Sequence, residues 1–172
     1  MKLPPPKRAF TVLFNGITRE IKTPVQVINP LANPPIVIGE LRALWDTGAT
    51  GSMINKNLID KLGLKKINAG RIQGVHGIQL VDTYIVDLIL PYNVKASTLE
   101  ISGGDIGQTV DILIGMDIIS RGDFALTIEK GKTVFSCCYP QLDSKIDFVP
   151  SAEKFNKQIS KIDLQVNGRN KK

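Results

Sequence analysis

The sequence predicts an all-β domain, a barrel or a sandwich, with at most two short helices. Short β-prone runs recur at regular spacing and are separated by turn residues. Fifteen glycines and ten prolines are scattered through the 172 residues as punctuation, which favours many short elements over long helices. No alternation of strand and helical patterns marks a βαβ unit. At 42% hydrophobic, the chain is long enough for one domain with a real core.

Each element follows in order. After a proline-rich lead, "FTVLFNGITREI" places Asn15-Gly16 between two β-prone arms and predicts a two-residue hairpin. "TPVQVINP" alternates as a strand and stops at Pro30. "PPIVIGELRALWD" is a strand pair or one bent strand leading into Asp46. "NKNLIDKLGL" carries Leu58, Ile59 and Leu62 at helical spacing and predicts a short helix or turn ending at Gly63. "GRIQGVHGIQL" reads as a hairpin with its tip at Gly74 to Gly77. "VDTYIVDLILPYN" turns Tyr84, Val86, Leu88 and Leu90 to one face, and "TLEISGGDIGQ" is a strand followed by a loop. "VDILIGMDIISRG" is an apolar strand that meets a glycine, then a short helix near Asp117 to Arg121 closed by Gly122. "FALTIEKGKTVFSCC" predicts a hairpin around Lys130-Gly131.

Composition narrows the function classes. The start, "MKLPPPKRAF", lacks the apolar segment of a signal peptide, and no run approaches the ~18 apolar residues of a membrane span. The expectation is a soluble, cytoplasmic chain with no membrane partner. Cys137 and Cys138 are adjacent, a poor basis for a structural disulfide or a zinc site, and read as reduced thiols at a strand end. His76 is the only histidine, with no nucleophile elbow to pair with it and too few companions for a metal. No metal or cofactor is expected. The net charge of +6 gathers at the termini, in Lys2, Lys7 and Arg8 and in Lys154, Lys157, Lys161, Arg169, Lys171 and Lys172. No aromatics interleave with the tail lysines, which argues against specific nucleic-acid readout, although the basic termini could still touch nucleic acid. The chain divides into a domain over 1–142 and a basic C-terminal extension over 143–172.

Two segments carry the chemistry. "ALWDTGA" and "DILIGMD" each run a buried strand into a tight glycine turn. Asp46 closes an apolar run of Ala43, Leu44 and Trp45, and burying an ionised carboxylate is costly unless it is hydrogen-bonded or neutralised. Gly48 lets its backbone N–H approach that carboxylate. Thr47 offers a hydroxyl to a neighbouring chain, and Ala49 is small enough for two such loops to meet. Ile112, Leu113 and Ile114 are expected beneath the loop, with Gly115 leaving room for it. A bland alternative is an Asx turn at Asp46 with no catalytic role.

On these residues the sequence resembles the retropepsin-like aspartic proteases of retroviruses, retrotransposons and bacteria. "DTGAT" followed by Ser52 and Ile54 is similar to the family's active-site loop, "DILIGMD" to its second apolar-glycine element, and "GVHGIQ" falls at the family's flap. The resemblance spans roughly residues 36–122. It implies a closed or nearly closed β-barrel of the retropepsin type with one or two short helices. It also implies an aspartic endopeptidase acting on polypeptide, with catalytic Asp46, Thr47 and Gly48 and substrate contacts from Ala49, Gly74, Val75, His76 and Gly77. Thr50, Gly51 and Ser52 stand where retroviral members carry acidic substrate contacts, so specificity does not transfer. Two carboxylates about 3 Å apart share one proton, one acting as base on water and the other polarising the scissile carbonyl. Only one D-T-G loop is present, so the second Asp46 must come from a homodimer partner. Activity should then follow a bell in the acidic to weakly acidic range. The alternative of another class is a barrel of the same fold that dimerises or grips extended peptides without cutting them.

Overall fold

The computed structural model describes residues 6–74 and 77–169; Val75 and His76, expected from the sequence to contact substrate, lie outside the described residues. The chain forms two compact units, Met1–Leu142 and Asp143–Lys172.

The first unit is a closed barrel with a small second sheet. The barrel strands are β2 (Ile21–Asn29), β3 (Ile36–Trp45), β4 (Met53–Asn55), β6 (Gly77–Leu90), β7 (Val94–Gly104) and β8 (Ile112–Ile114), and β5 (Asn68–Gly74) joins β6 alone. Hydrogen bonding runs β2-β3-β8-β4-β7-β6 and returns from β6 to β2, which closes the ring and leaves no free edge within it. The second sheet has the order β1-β10-β9, from β1 (Arg8–Leu13), β9 (Asp123–Glu129) and β10 (Lys132–Tyr139).

Alternation built these strands. Thr23, Val25, Val27 and Asn29 of β2 are buried while Pro24, Gln26 and Lys22 are not, and Tyr84, Val86, Leu88 and Leu90 of β6 line the core as the sequence predicts. β7 changes face midway, burying Val94 and Ala96 and then Leu99 and Ile101. The cause is a bulge, visible as the register shift between Val86 and Leu88, with Thr98 at φ 54°. The buried Asp87 stabilises it by accepting the Thr98 N–H at 2.7 Å and pairing with Lys95 at 2.9 Å. A similar shift bends β3 beside Glu40, at φ 58°, so "IVIGELRALW" is one bent strand.

The Asn15-Gly16 hairpin does not form. β1 pairs with β10, and β2 pairs with β3 and β6. The turn is instead stitched to the buried Thr133: Phe14 N–H donates to the Thr133 carbonyl at 2.9 Å, Thr133 N–H to the Gly16 carbonyl at 3.0 Å, and Thr18 N–H to Thr133 Oγ1 at 3.0 Å. Phe10 and Phe135 carry the small sheet onto the barrel, packing against Trp45 with ring centroids 6.1 and 4.9 Å away. Two helices of the first unit are single turns, α1 (Lys56–Ile59) and α2 (Met116–Ile119). The expectation of at most two short helices fails in the second unit, where α3 (Val149–Arg169) is a helix of 21 residues. Its lysines give it the composition of a solvated tail, while its apolar residues recur at helical spacing. Among the described residues no helix is long and apolar enough to cross a membrane.

Candidate active site

Asp46 stands immediately after β3, which runs parallel to β8 with Trp45 opposite Ile114. The ladder continues one step further, because Asp46 N–H donates to the Ile114 carbonyl at 2.9 Å. β4, the strand after the loop, returns antiparallel on the other side of β8, with Ile54 opposite Ile112. The loop of residues 46–52 therefore leaves and rejoins the barrel on either side of one buried strand. This arrangement places Ile112, Leu113 and Ile114 beneath it.

Gly115 and α2 brace the loop from the other side. Met116 N–H donates to the Ala49 carbonyl at 2.8 Å, and Asp117 N–H to the Thr50 carbonyl at 3.2 Å. A Cβ on Gly115 would sit 2.6 Å from the Gly51 oxygen, so only glycine permits this approach. Ser52, 1% exposed, is the centre of the brace. Its hydroxyl donates to Asp117 Oδ1 at 2.7 Å and accepts the Gly115 N–H at 2.9 Å, while its N–H donates to Asp117 Oδ2 at 3.0 Å. Ser52 and Asp117 are thus positioning residues. The sequence shows Ser52 only as part of the loop motif, and for Asp117 it predicts a role in stability rather than in chemistry.

The Asp46 carboxylate accepts the Gly48 N–H at 2.8 Å, and its carbonyl accepts the Ala49 N–H at 3.2 Å. A Cβ on Gly48 would come within 3.2 Å of that same carboxylate oxygen. Thr47 and Gly48 are exposed, and Asp46 and Ala49 are half-buried. The expectation of a buried Asp46 is therefore corrected for the single chain: the loop faces outward, and a backbone amide satisfies the anion. Asp111 has a structural role, accepting the Arg42 N–H at 2.8 Å.

Of the residues expected at the site, the fold brings Asp46, Thr47, Gly48 and Ala49 together in one loop. Gly74 and Gly77 pair across the end of the β5-β6 hairpin, with Gly77 at φ 97°. Val75 and His76, between them, lie outside the described residues. The two cysteines are free and buried in β10, and burial pushes the Cys137 thiol up to about 12, with Cys138 and Asp123 adding to the shift. Among the described residues no group of three His, Cys, Asp or Glu side chains could hold a metal ion.

The family described as aspartyl protease matches residues 36–118, a stretch that runs from β3 through the loop to α2. No curated protein matches the chain. Among solved structures, a retropepsin-like aspartic protease from Rickettsia conorii is 15% identical, covering 78% of this chain and 96% of its own at a TM-score of 0.44. EIAV protease complexed with the inhibitor HBY-793 is 24% identical, with 63% and 92% covered and a TM-score of 0.43. The retroviral protease-like domain of Ddi1 from Leishmania major is 21% identical, with 69% and 94% covered and a TM-score of 0.38. The family match takes in the D-T-G-A loop seated on the I-L-I-G strand of the closed barrel, and over these residues the chain is similar to the aspartyl proteases.

Proposed function

We propose that the protein is an aspartic endopeptidase whose catalytic pair is Asp46 from each of two identical chains. One observation carries this reading: a single carboxylate, fixed by the Gly48 N–H at 2.8 Å, is presented on an outward-facing loop that is rigidly braced from beneath. One such group cannot both activate water and donate a proton to the scissile carbonyl. Two brought together by a two-fold axis can. Their like charges favour a single shared proton. The ionised Asp46 takes a proton from water as it attacks the carbonyl carbon. The protonated Asp46 donates to the carbonyl oxygen, giving a tetrahedral intermediate, and proton return to the amide nitrogen releases the amine. In this reading Thr47, exposed beside Asp46, bonds across the axis, and Ala49 limits the bulk between the loops. An apolar stripe of Phe124, Leu126 and Ile128, exposed on the edge strand β9, supports association with another chain.

A second reading has its own support. The Asp46 carboxylate closes an Asx-type turn onto Gly48, a satisfied structural role that needs no chemistry. In that case the barrel grips extended peptides without cutting them. Cleavage of a peptide library at mildly acid pH, run beside Asp46→Asn, separates the two. The protease reading expects cleavage that the substitution abolishes while the fold survives. Absence of cleavage with peptide binding intact would favour the second.

A further inference from the structure

The second unit holds a repeat that the protease reading does not use. Asp147 caps α3 by accepting the Val149 N–H at 3.0 Å, and the helical ladder begins with Ala152 N–H donating to the Phe148 carbonyl at 3.0 Å. From there, apolar residues fall at Phe148, Ala152, Phe155 and Ile159, and in the sequence the spacing continues at Ile162 and Val166. The steps along this stripe alternate between four and three residues, with Val149 and Leu164 lying off it. That is the seven-residue repeat of a coiled coil, with Ala152, Ile159 and Val166 at one core position and Phe148, Phe155 and Ile162 at the other. Phe148, Phe155 and Ile159 of this stripe are exposed, at 64%, 60% and 42%.

The flanks of the stripe indicate what covers it. The positions on either side hold Ser151, Gln158 and Gln165 on one edge and Val149, Asn156 and Asp163 on the other. No cation lies on either edge, so identical helices aligned in parallel meet no like-charge pair across the seam. Glu153, Lys154, Lys157 and Lys161 all fall outside these positions. A two-position seam whose edges are polar apart from Val149 at the start of the helix is also narrower than the broad apolar face of a helix that lies on a membrane. A helix of this length is marginal alone, so burying the seam stabilises helix and assembly together.

We propose that α3 is a parallel coiled-coil strand through which two copies of this chain associate. The test uses the full chain carrying Ala152→Cys, with Lys154→Cys, on the opposite face, as control. Parallel pairing sets residue 152 against its own copy. Mild oxidation should therefore give a covalent dimer at 152 and at least tenfold less at 154, and adding Phe155→Asp to the Ala152→Cys chain should remove it. By sedimentation, Phe155→Asp should raise the concentration needed for association at least tenfold, while Lys157→Asp leaves it unchanged. Equal crosslinking at both positions, no crosslinking at 152, or Phe155→Asp abolishing binding to anionic vesicles without altering association would overturn the proposal. Crosslinking must persist in an Asp46→Asn background, so failure of the protease reading and failure of the seam are told apart.

Discussion

The D-T-G loop and the β5-β6 hairpin hang from the same closed sheet and are built in opposite ways. The loop is pinned at both ends to one buried strand and held beneath by Ser52, Asp117 and Gly115. The hairpin is a two-stranded arm. Its pairing runs from Asn68 opposite Thr83 to Gly74 opposite Gly77, and beyond Thr83 toward the tip its β6 strand leaves the core, exposing Ile78 and Leu80 at 69% and 76%. One long strand thus serves two purposes, as barrel wall over its second half and as a projecting arm over its first. Under the proposed function, the braced element carries the carboxylate that must be held in a fixed place, and the arm, at the low-stability end of the molecule, is the element that opens for substrate.

The comparison can be broken most forcefully at Asp46. Asp46→Asn keeps the shape and the Gly48 contact, so thermal stability should stay close to that of the unsubstituted chain while peptide cleavage falls to background. A marked loss of stability would make Asp46 a structural residue. Next comes the brace. Ser52→Ala leaves the Gly115 N–H and one Asp117 oxygen without the hydroxyl at a buried position, and should cost about 1–3 kcal/mol in denaturant unfolding. Activity should fall by more than that loss of stability explains, because the loop loses its fixed geometry.

The hairpin should respond the other way round. Gly77→Ala places a side chain at φ 97°, a strained conformation in otherwise open space, with a local cost above about 1 kcal/mol that the arm sheds by relaxing, because it is not part of the core. Turnover, rather than stability, should carry the effect. Hydrogen exchange sharpens the same contrast: the amides of Ser52, Gly115 and Met116 should exchange more slowly than those of Gly70 to Gly74 and Gly77 to Leu80. Equal protection would remove the distinction between brace and arm.

The smallest expected effect concerns the thiols. Burial raises the Cys137 thiol from 9.0 to about 12, so the fold favours its protonated form. That contribution is complete below pH 9 and is lost as the pH rises toward 12, because the unfolded chain ionises first. Native protein at pH 8 should therefore resist alkylation at Cys137 until denaturant is added.

Much of the barrel was legible because alternation in β2 and β6 reports the core face directly, and the glycine after each of two apolar runs marks where the backbone must pass close by. The first hairpin was misread because Asn15-Gly16 is a local signal, and pairing of β1 with β10 across the whole domain outweighed it. The bulges at Glu40 and Thr98 left no comparable mark, since neither residue favours a positive φ. Ser52 and Asp117 lie 65 residues apart, and only the folded chain shows that one hydroxyl joins them. In α3 the periodicity was present in the sequence, but the lysines around it suggested a solvated tail.

The central claim, one active site built from two chains, is tested most directly by mixing subunits. Unsubstituted protein and Asp46→Asn are combined in varying proportion at a fixed total concentration that keeps both associated, allowed to exchange, and assayed for peptide cleavage at mildly acid pH. If each site needs both carboxylates, activity follows the square of the unsubstituted fraction, so an equal mixture retains about a quarter of full activity. Activity that falls in simple proportion, to about a half, would mean that each chain acts with its own Asp46 alone, and would contradict the account.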